Sequence, residues 1–257
     1  EKPGQLIVLT DLSETRQLQQ RISHLQRLSS MGKMVASLAH QIRTPLSAAI
    51  LYAQNLSQGM ISPVKQQRFS HKLLSRLHNL EQQVNDMLLF AKSGEKPVLE
   101  ELTTDSLLST VASNVESYAA QHHVNIVMPE CGHSAVLKGN KTALTGALQN
   151  LINNAIDASQ AGQEVLVKTH VEGNNWCVSV IDAGAGIDKE KQAQIFTPFF
   201  TGKSNGTGLG LAVVQTVLRA HHGSIDWESE LGKGSRFTLS IPVHCFNEQP
   251  VSEVRYG

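Results

Sequence analysis

Between Thr15 and Leu56 the chain has a single glycine, Gly32, and a single proline, Pro45, and its apolar residues return at steps of three and four: Leu18, Ile22, Leu25, Leu28, Met31, Val35, Leu38, Ile42, Leu46, Ala49, Ala53 and Leu56. That spacing predicts a long helix with one apolar seam. Ser57 to Pro63 (SQGMISP) gathers turn-forming residues, after which Leu73, Leu77, Leu80, Val84, Met87 and Ala91 resume the seam. A helical hairpin is expected, and two helices cannot cover their own seams. A second copy closing a homodimeric four-helix bundle is the simplest solution; a hairpin packed on the rest of its own chain is the alternative.

At 257 residues and 28.0 kDa the chain exceeds one small module, so two domains are expected. Basic and acidic residues balance at 22 each, with a pI near 7.4 and no basic block, which argues against nucleic acid and anionic membrane as partners. Cys131, Cys177 and Cys245 form no CxxC pair, so a disulfide framework and a zinc ribbon are not expected, and a reducing compartment fits. No apolar run approaches the roughly 20 residues that cross a bilayer, and no signal-peptide pattern opens the chain. The expectation is a cytoplasmic segment without membrane contact. It begins at Glu1 rather than Met, which reads as a piece of a longer protein.

Gly4 to Thr10 (GQLIVLT) reads as a short strand, either the last of an upstream domain or a disordered stub, with a capped helix start at Asp11-Leu12-Ser13-Glu14. Ser93-Gly94-Glu95-Lys96-Pro97 reads as a linker. Beyond it, β-type runs (Val124 to Met128, Glu164 to Val171, Trp176 to Ile181, Ser224 to Trp227, Arg236 to Ile241) are interleaved with helical stretches (Thr104 to Gln121, Lys141 to Ser159, Leu209 to His221). Several strand runs are consecutive, so a mixed sheet with helices on one face is expected.

His40 stands in AHQIRTPL, mid-way along the first helix. Its seam neighbours are two positions away, and two positions turn a helical side chain by about 200°, so the imidazole should face solvent with Thr44 one turn on. Pro45 should bend the helix beside it. An exposed imidazole is mostly neutral at neutral pH and offers a ring nitrogen as nucleophile, although ten other histidines share the chain.

In Lys141 to Ser159, Leu144, Leu148, Leu151 and Ala155 form the buried stripe, leaving Asn150 and Asn154 a turn apart on another face. Amide oxygens are hard neutral ligands that suit Mg²⁺ beside phosphate oxygens, but exposed asparagines are also common. Asp182-Ala183-Gly184-Ala185-Gly186-Ile187 follows a strand run; its carboxylate can accept from an exocyclic amine and its glycines admit a flat ring, or the segment is simply a tight turn. Gly206-Thr207-Gly208-Leu209-Gly210-Leu211 opens a helix, where free amides make an anion site. Its GxGxG spacing is not the dinucleotide fingerprint, and Gly202-Lys203-Ser204 is not a Walker motif, because Thr197 stands where that motif needs glycine. Phe196 to Thr207 reads as a flap anchored by Phe199 and Phe200, with Lys203 placed to meet a phosphate. The pairs His122-His123 and His221-His222 read as surface histidines rather than metal ligands.

Taken in order, AHQIRTPL, NLINNAIDA, DAGAGI, FTPFF, GTGLGLAV and GKGSRFTLSIP resemble the H, N, G1, F and G2 boxes and terminal strands of bacterial two-component sensor histidine kinases, over about residues 30 to 245. SSMGKMVASLAHQIRTPLSAAILYAQNL is similar to the nitrogen-regulation-like kinases, and among them to the flagellar regulatory sensor kinases. GQLIVLTDLSETRQL is similar to the last strand of a PAS domain and its junction.

The resemblance implies an α+β chain: a PAS-like remnant at 1–12, a signalling helix at 13–33, a dimerising phosphotransfer hairpin at 34–93 forming a four-helix bundle in the dimer, an α/β-sandwich ATP-binding domain of the histidine kinase/Hsp90-like type at 97–245, and a flexible tail at 246–257. It implies His40 as phosphoacceptor, with Gln41 and Thr44 beside it, and Asn154 as the Mg²⁺ ligand. Nucleotide would be bound by Asn150, Asn154, Asp182, Gly184, Gly186, Ile187, Phe199, Lys203, Gly206, Thr207, Gly208, Leu209 and Gly210. ATP and Mg²⁺ are the implied cofactors. An NtrC-like, sigma-54-dependent response regulator is the implied receiver of the phosphoryl group, with flagellar genes as the target and a second, dephosphorylating activity at Thr44. The family commonly carries an acidic residue after the histidine, and this chain has Gln41. That departure keeps open a nucleotide-binding scaffold with weak or no autophosphorylation; a chaperone- or topoisomerase-like ATPase is the third reading.

Overall fold

The computed structural model describes residues 22, 39, 42–57, 61–92, 99–129, 135–203 and 206–246. The expected strand at Gly4 to Thr10, the junction after it, the linker at Ser93 to Pro97 and the tail beyond Phe246 lie outside the described residues.

The chain forms two compact units, one of residues 1–81 and 91–95, the other of 82–90 and 96–257. In the first, α1 (42–57) and most of α2 (Pro63–Lys92) make the expected hairpin. The helices meet through Tyr52 and Phe69, whose ring centroids lie 5.9 Å apart, and through Lys72, whose Nζ stands 5.8 Å from the Tyr52 ring centre. Ala49 is buried, yet Leu46, Ile50, Leu51, Leu74 and Leu77 stay exposed, more apolar surface than a helix pair can hide by itself.

The second unit is built on β1 (Glu100–Thr103), α3 (Thr104–His122), β2 (Asn125–Val127), β3 (Ala135–Gly139), α4 (Lys141–Ala158), β4 (Glu164–Glu172), β5 (Asn175–Asp182), α5 (Lys189–Gln192), α6 (Gly210–Ala220), β6 (Ser224–Glu230) and β7 (Gly234–Phe246). The strands join in the order β1-β3-β7-β5-β4-β2, with β6 also on β7. Only β2–β4 is parallel, so the sheet is mixed as expected. β7 is its spine: one edge pairs β5 throughout, while the other meets β6 first and then β3.

Val165, Val167, Val178 and Val180 are inaccessible beneath α4, with α3 over β1 to β3 and α6 over β6, while the alternate residue Lys168 is exposed. The helices therefore cover one face. On the other, Ser179 Oγ and Thr238 Oγ1 pair at 2.8 Å across β5 and β7. β1, β3 and the short α5 had no sequence expectation. β1 carries a single buried position and α5 is one turn, too short for a periodic pattern.

His221 departs from the expected surface role. It is 4% exposed, its Nε2 accepts from the Asn140 N–H at 2.9 Å, and its Nδ1 lies 2.7 Å from the Val217 carbonyl. A ring that accepts at Nε2 and donates at Nδ1 is neutral, and it ties the C-cap of α6 to the N-cap of α4. Burial lowers its pKa, the Val217 carbonyl opposes this, and His222 adds to the lowering. The unfolded chain thus binds a proton at His221 at higher pH than the folded chain does, so stability is lost as pH falls below about 6.5. The melting temperature of wild type should drop through that range. His221→Gln should start lower and show a flatter acid limb; an equally steep limb would assign the loss to another group.

Candidate functional site

α4 is fixed first at its ends and then along its length. Asn140 Oδ1 caps it by accepting from the Ala143 N–H at 2.9 Å. Leu144, Leu148, Leu151, Ile152, Ala155 and Ile156 are buried against α3, α6 and the sheet. Asn154 and Asp157, at i and i+3, share the edge that is left. Asn150, one turn before Asn154 on the same side, is covered instead. It is 7% exposed, its Nδ2 donates to Asp86 Oδ1 at 3.2 Å, and it lies beside Gly210. Asn150 thus shares a face with Asn154 as expected, but α2 and α6 close over the Asn150 end of it.

Asp182 ends β5 with 7% exposure. Burial raises its pKa, against which the amides of Gly184 and Ser235 and the charge of Lys203 act. The Gly184 N–H donates to Asp182 Oδ1 at 2.9 Å. The loop that follows is wedged between the C-terminal end of α4 and the β6–β7 turn: Ala185 donates to the Ala158 carbonyl at 3.2 Å, Gly232 to the Ala185 carbonyl at 2.8 Å, and Ile187 to Ser229 Oγ at 2.8 Å. Gly186, at φ 66°, runs so close to the Glu230 carbonyl that a Cβ would collide with it. The glycines of DAGAGI are thus required by the protein's own backbone, a reason separate from any ring laid on them.

α6 starts at Gly210 without a side-chain cap on its N-cap residue, Leu209, which is inaccessible to solvent. Thr207 Oγ1 accepts from the Leu209 N–H at 3.2 Å. The first-turn amides of a helix lack intrahelical acceptors, and an end of this kind favours an anion. The Phe199 N–H donates to the Gly208 carbonyl at 2.8 Å, and both residues have positive φ, 67° and 65°. FTPFF and GTGLG are therefore one joined turn. Gly206 donates to the Lys203 carbonyl at 3.2 Å.

Lys203 closes the arrangement. Its Nζ donates to Asp157 Oδ2 at 2.7 Å and to Asn154 Oδ1 at 3.0 Å. Tyr118 of α3 donates to Asp157 Oδ1 at 2.7 Å. Burial, that hydrogen bond and the Asp157 charge push the Tyr118 pKa well up, so the phenol stays a donor. Asn154 Oδ1 already faces a positive charge, and the nearby donors are hard oxygens, a set that fits Mg²⁺.

Asn154, Asp182, Lys203 and the start of α6 thus converge. Thr44 is exposed on α1, and His40 and Gln41 lie outside the described residues. Sequence reading missed Asp157, Tyr118 and Asp86. Asp157 carried one signal, its place three residues after Asn154; Tyr118 and Asp86 come from distant segments and carried none.

Residues 139–244 match the family of histidine kinase-, DNA gyrase B- and HSP90-like ATPases, and residues 30–96 match the His Kinase A (phospho-acceptor) domain. The chain belongs to the two-component sensor histidine kinases. Within them it is similar to the sensor protein kinase FleS of Pseudomonas aeruginosa, at 44% identity over 94% of this chain and 60% of that protein, so it spans under two thirds of the relative. Full-length ShkA, solved in complex with AMPPNP, is 27% identical with a TM-score of 0.58, over 82% of this chain and 46% of its own. ThkA, solved in complex with the response regulator TrrA, is 24% identical with a TM-score of 0.66, over 91% and 68%, a likeness of fold.

Gly208→Ala should be costly. At φ 65° an L side chain is strained by roughly 1–2 kcal/mol, and its Cβ would meet the Phe199 backbone. Gly210→Ala should be mild by comparison, because the nearest atom to its Cβ, in Asn150, is 3.6 Å away. Thermal melts of the two variants check the contrast, which fails if Gly208→Ala melts no lower than Gly210→Ala.

Proposed function

We propose that this chain is the kinase core of a sensor protein, which phosphorylates its own His40 from Mg-ATP and passes the phosphoryl group to an aspartate of a response-regulator receiver domain. The observation that carries the reading is the convergence of Asp182, Asn154, Lys203 and the uncapped start of α6 within an ATPase-family domain, on a chain that also carries the phospho-acceptor domain.

Asp182 takes the exocyclic amine of adenine, and the α6 amides and Lys203 take phosphate charge. Asn154 Oδ1 holds Mg²⁺, which when bound neutralises phosphate charge. The remaining work is placement in line. A ring nitrogen of His40 forms the N–P bond, ADP leaves with the electrons of the broken P–O bond, and the imidazole gives up a proton. Gln41 cannot take that proton at neutral pH, so its role is to orient the ring, and water or phosphate receives the proton. Thr44, exposed on α1, serves dephosphorylation of the regulator in this reading, a role that rests on the resemblance of AHQIRTPL to the family's H box.

The exposed Leu46, Ile50, Leu51, Leu74 and Leu77 support a homodimeric four-helix bundle, because a partner hairpin would cover them. Similarity to FleS supports the flagellar pathway, and an NtrC-like, sigma-54-dependent regulator as the receiver rests on the likeness of SSMGKMVASLAHQIRTPLSAAILYAQNL to nitrogen-regulation-like kinases. No helix among the described residues is long and apolar enough to cross a membrane, and a cytoplasmic site of action fits. The second reading, a nucleotide-binding scaffold, rests on Gln41.

Incubation with γ-labelled ATP should leave alkali-stable, acid-labile label on wild type and none on His40→Gln. Nucleotide binding without label would favour the scaffold; steady ATP hydrolysis independent of His40 would favour a plain ATPase. Asp182→Asn and Asn154→Ala should each lower labelling by on the order of a hundredfold. Thr44→Ala should slow regulator dephosphorylation while leaving His40 labelling intact, and an unchanged dephosphorylation rate removes Thr44 from that role. If Gln41→Glu and Gln41→Ala both leave labelling rate and pH profile unchanged, orientation by Gln41 is excluded.

A further inference from the structure

We propose that Asp157, oriented by Tyr118, is a positioning residue that seats the Lys203 ammonium against Asn154 in the nucleotide-free protein, so that Lys203 and the nucleotide's metal ion compete for one oxygen. The inference rests on the nucleotide reading above and concerns a part of that site which neither the sequence motifs nor the family roles assigned.

The geometry divides one carboxylate between two donors. Tyr118 Oη engages Oδ1 at 2.7 Å from α3, which leaves Oδ2 for Lys203 Nζ, also at 2.7 Å. The same ammonium reaches Asn154 Oδ1 at 3.0 Å. An ammonium seated on an amide oxygen repels a second cation brought to the same lone pairs. Lys203 must therefore leave Asn154 when Mg-ATP enters, and the phosphates offer it a stronger anion than the single carboxylate it gives up.

Two consequences follow. The empty site keeps its charge balanced, because Asp157 would otherwise stand uncompensated on the edge of α4. Nucleotide must also draw Lys203 off its seat before binding fully, which lowers apparent affinity by the fraction of protein with the lysine released. The pair is partly exposed, so its effect is modest, on the order of threefold to fivefold in affinity.

Removing the Asp157 charge would favour any anion, seat or no seat, so a double-mutant cycle separates the two effects. Dissociation constants for ATP are measured by calorimetry in EDTA and in excess magnesium for wild type, Asp157→Asn, Lys203→Gln and the double variant, with melts confirming folding. Asp157→Asn should tighten ATP in EDTA about threefold to fivefold and should lose that advantage in the Lys203→Gln background. Equal tightening in both backgrounds means plain charge relief and overturns the seat, as does no tightening in wild type.

A measurement that needs no variant is the rate of lysine acetylation in nucleotide-free wild type, read by mass spectrometry. Lys203 should react several-fold more slowly than the exposed Lys168; equal rates overturn the seat. Wild type that binds no ATP would end the nucleotide reading, whereas the acetylation contrast stands or falls independently of it.

Discussion

The C-terminal unit depends on the burial of α4. Leu144, Leu148, Leu151, Ile152, Ala155 and Ile156 are each nearly inaccessible, and burying one large aliphatic side chain contributes about 1.5–3 kcal/mol. Because α3, α6 and the sheet all press on this helix, it has no freedom to rotate. A rotation of one residue would carry Asn154 and Asp157 off the edge where Lys203 meets them. The polar edge of the site is positioned by apolar packing on the helix's other sides. His221 reinforces this from the ends, joining the cap of α6 to that of α4 through one neutral ring.

Around that fixed helix the site is assembled mainly from backbone. The loop after β5 is threaded so tightly between α4 and the β6–β7 turn that its glycines have no room for side chains. The joined turn of Phe199 and Gly208 presents the start of α6 in the same way. Such a site commits few titratable groups. Among the described residues the charged members are Asp182, held by amides at the end of a buried strand, Asp86 against Asn150, and the Asp157–Lys203 pair. The neutral overall balance of the chain places no bar on such a site, because oriented amides attract anions without adding net charge.

Much of this was legible because the relevant patterns are local. The seam from Leu46 to Leu56 and its return along α2, the alternating strands β4 to β7 and the order of the motif boxes all reside in contiguous residues. What escaped reading depends on three-dimensional neighbours. His221 looked like half of a surface pair until Asn140 was brought to it. Asn150 looked exposed because one stripe was allotted to a helix buried on several sides. β1 is paired only through β3, antiparallel across 37 positions of chain from Glu101 to Lys138, and neither is long enough to announce itself by period. Tyr118 and Asp157 stand 39 residues apart and share a hydrogen bond that no local spacing encodes.

The position of β7 in the sheet sets an order of events. Without Gly234–Phe246, β1 and β3 lose contact with β5, β4 and β2, and β6 has no neighbour in the sheet. During synthesis the hairpin helices, whose contacts span few residues, are free to form while the ribosome is still making the sheet. The ATPase-like domain cannot close until its last strand emerges. A messenger cut short before Gly234 therefore yields the helical hairpin without the sheet that carries Asp182 and supports α6.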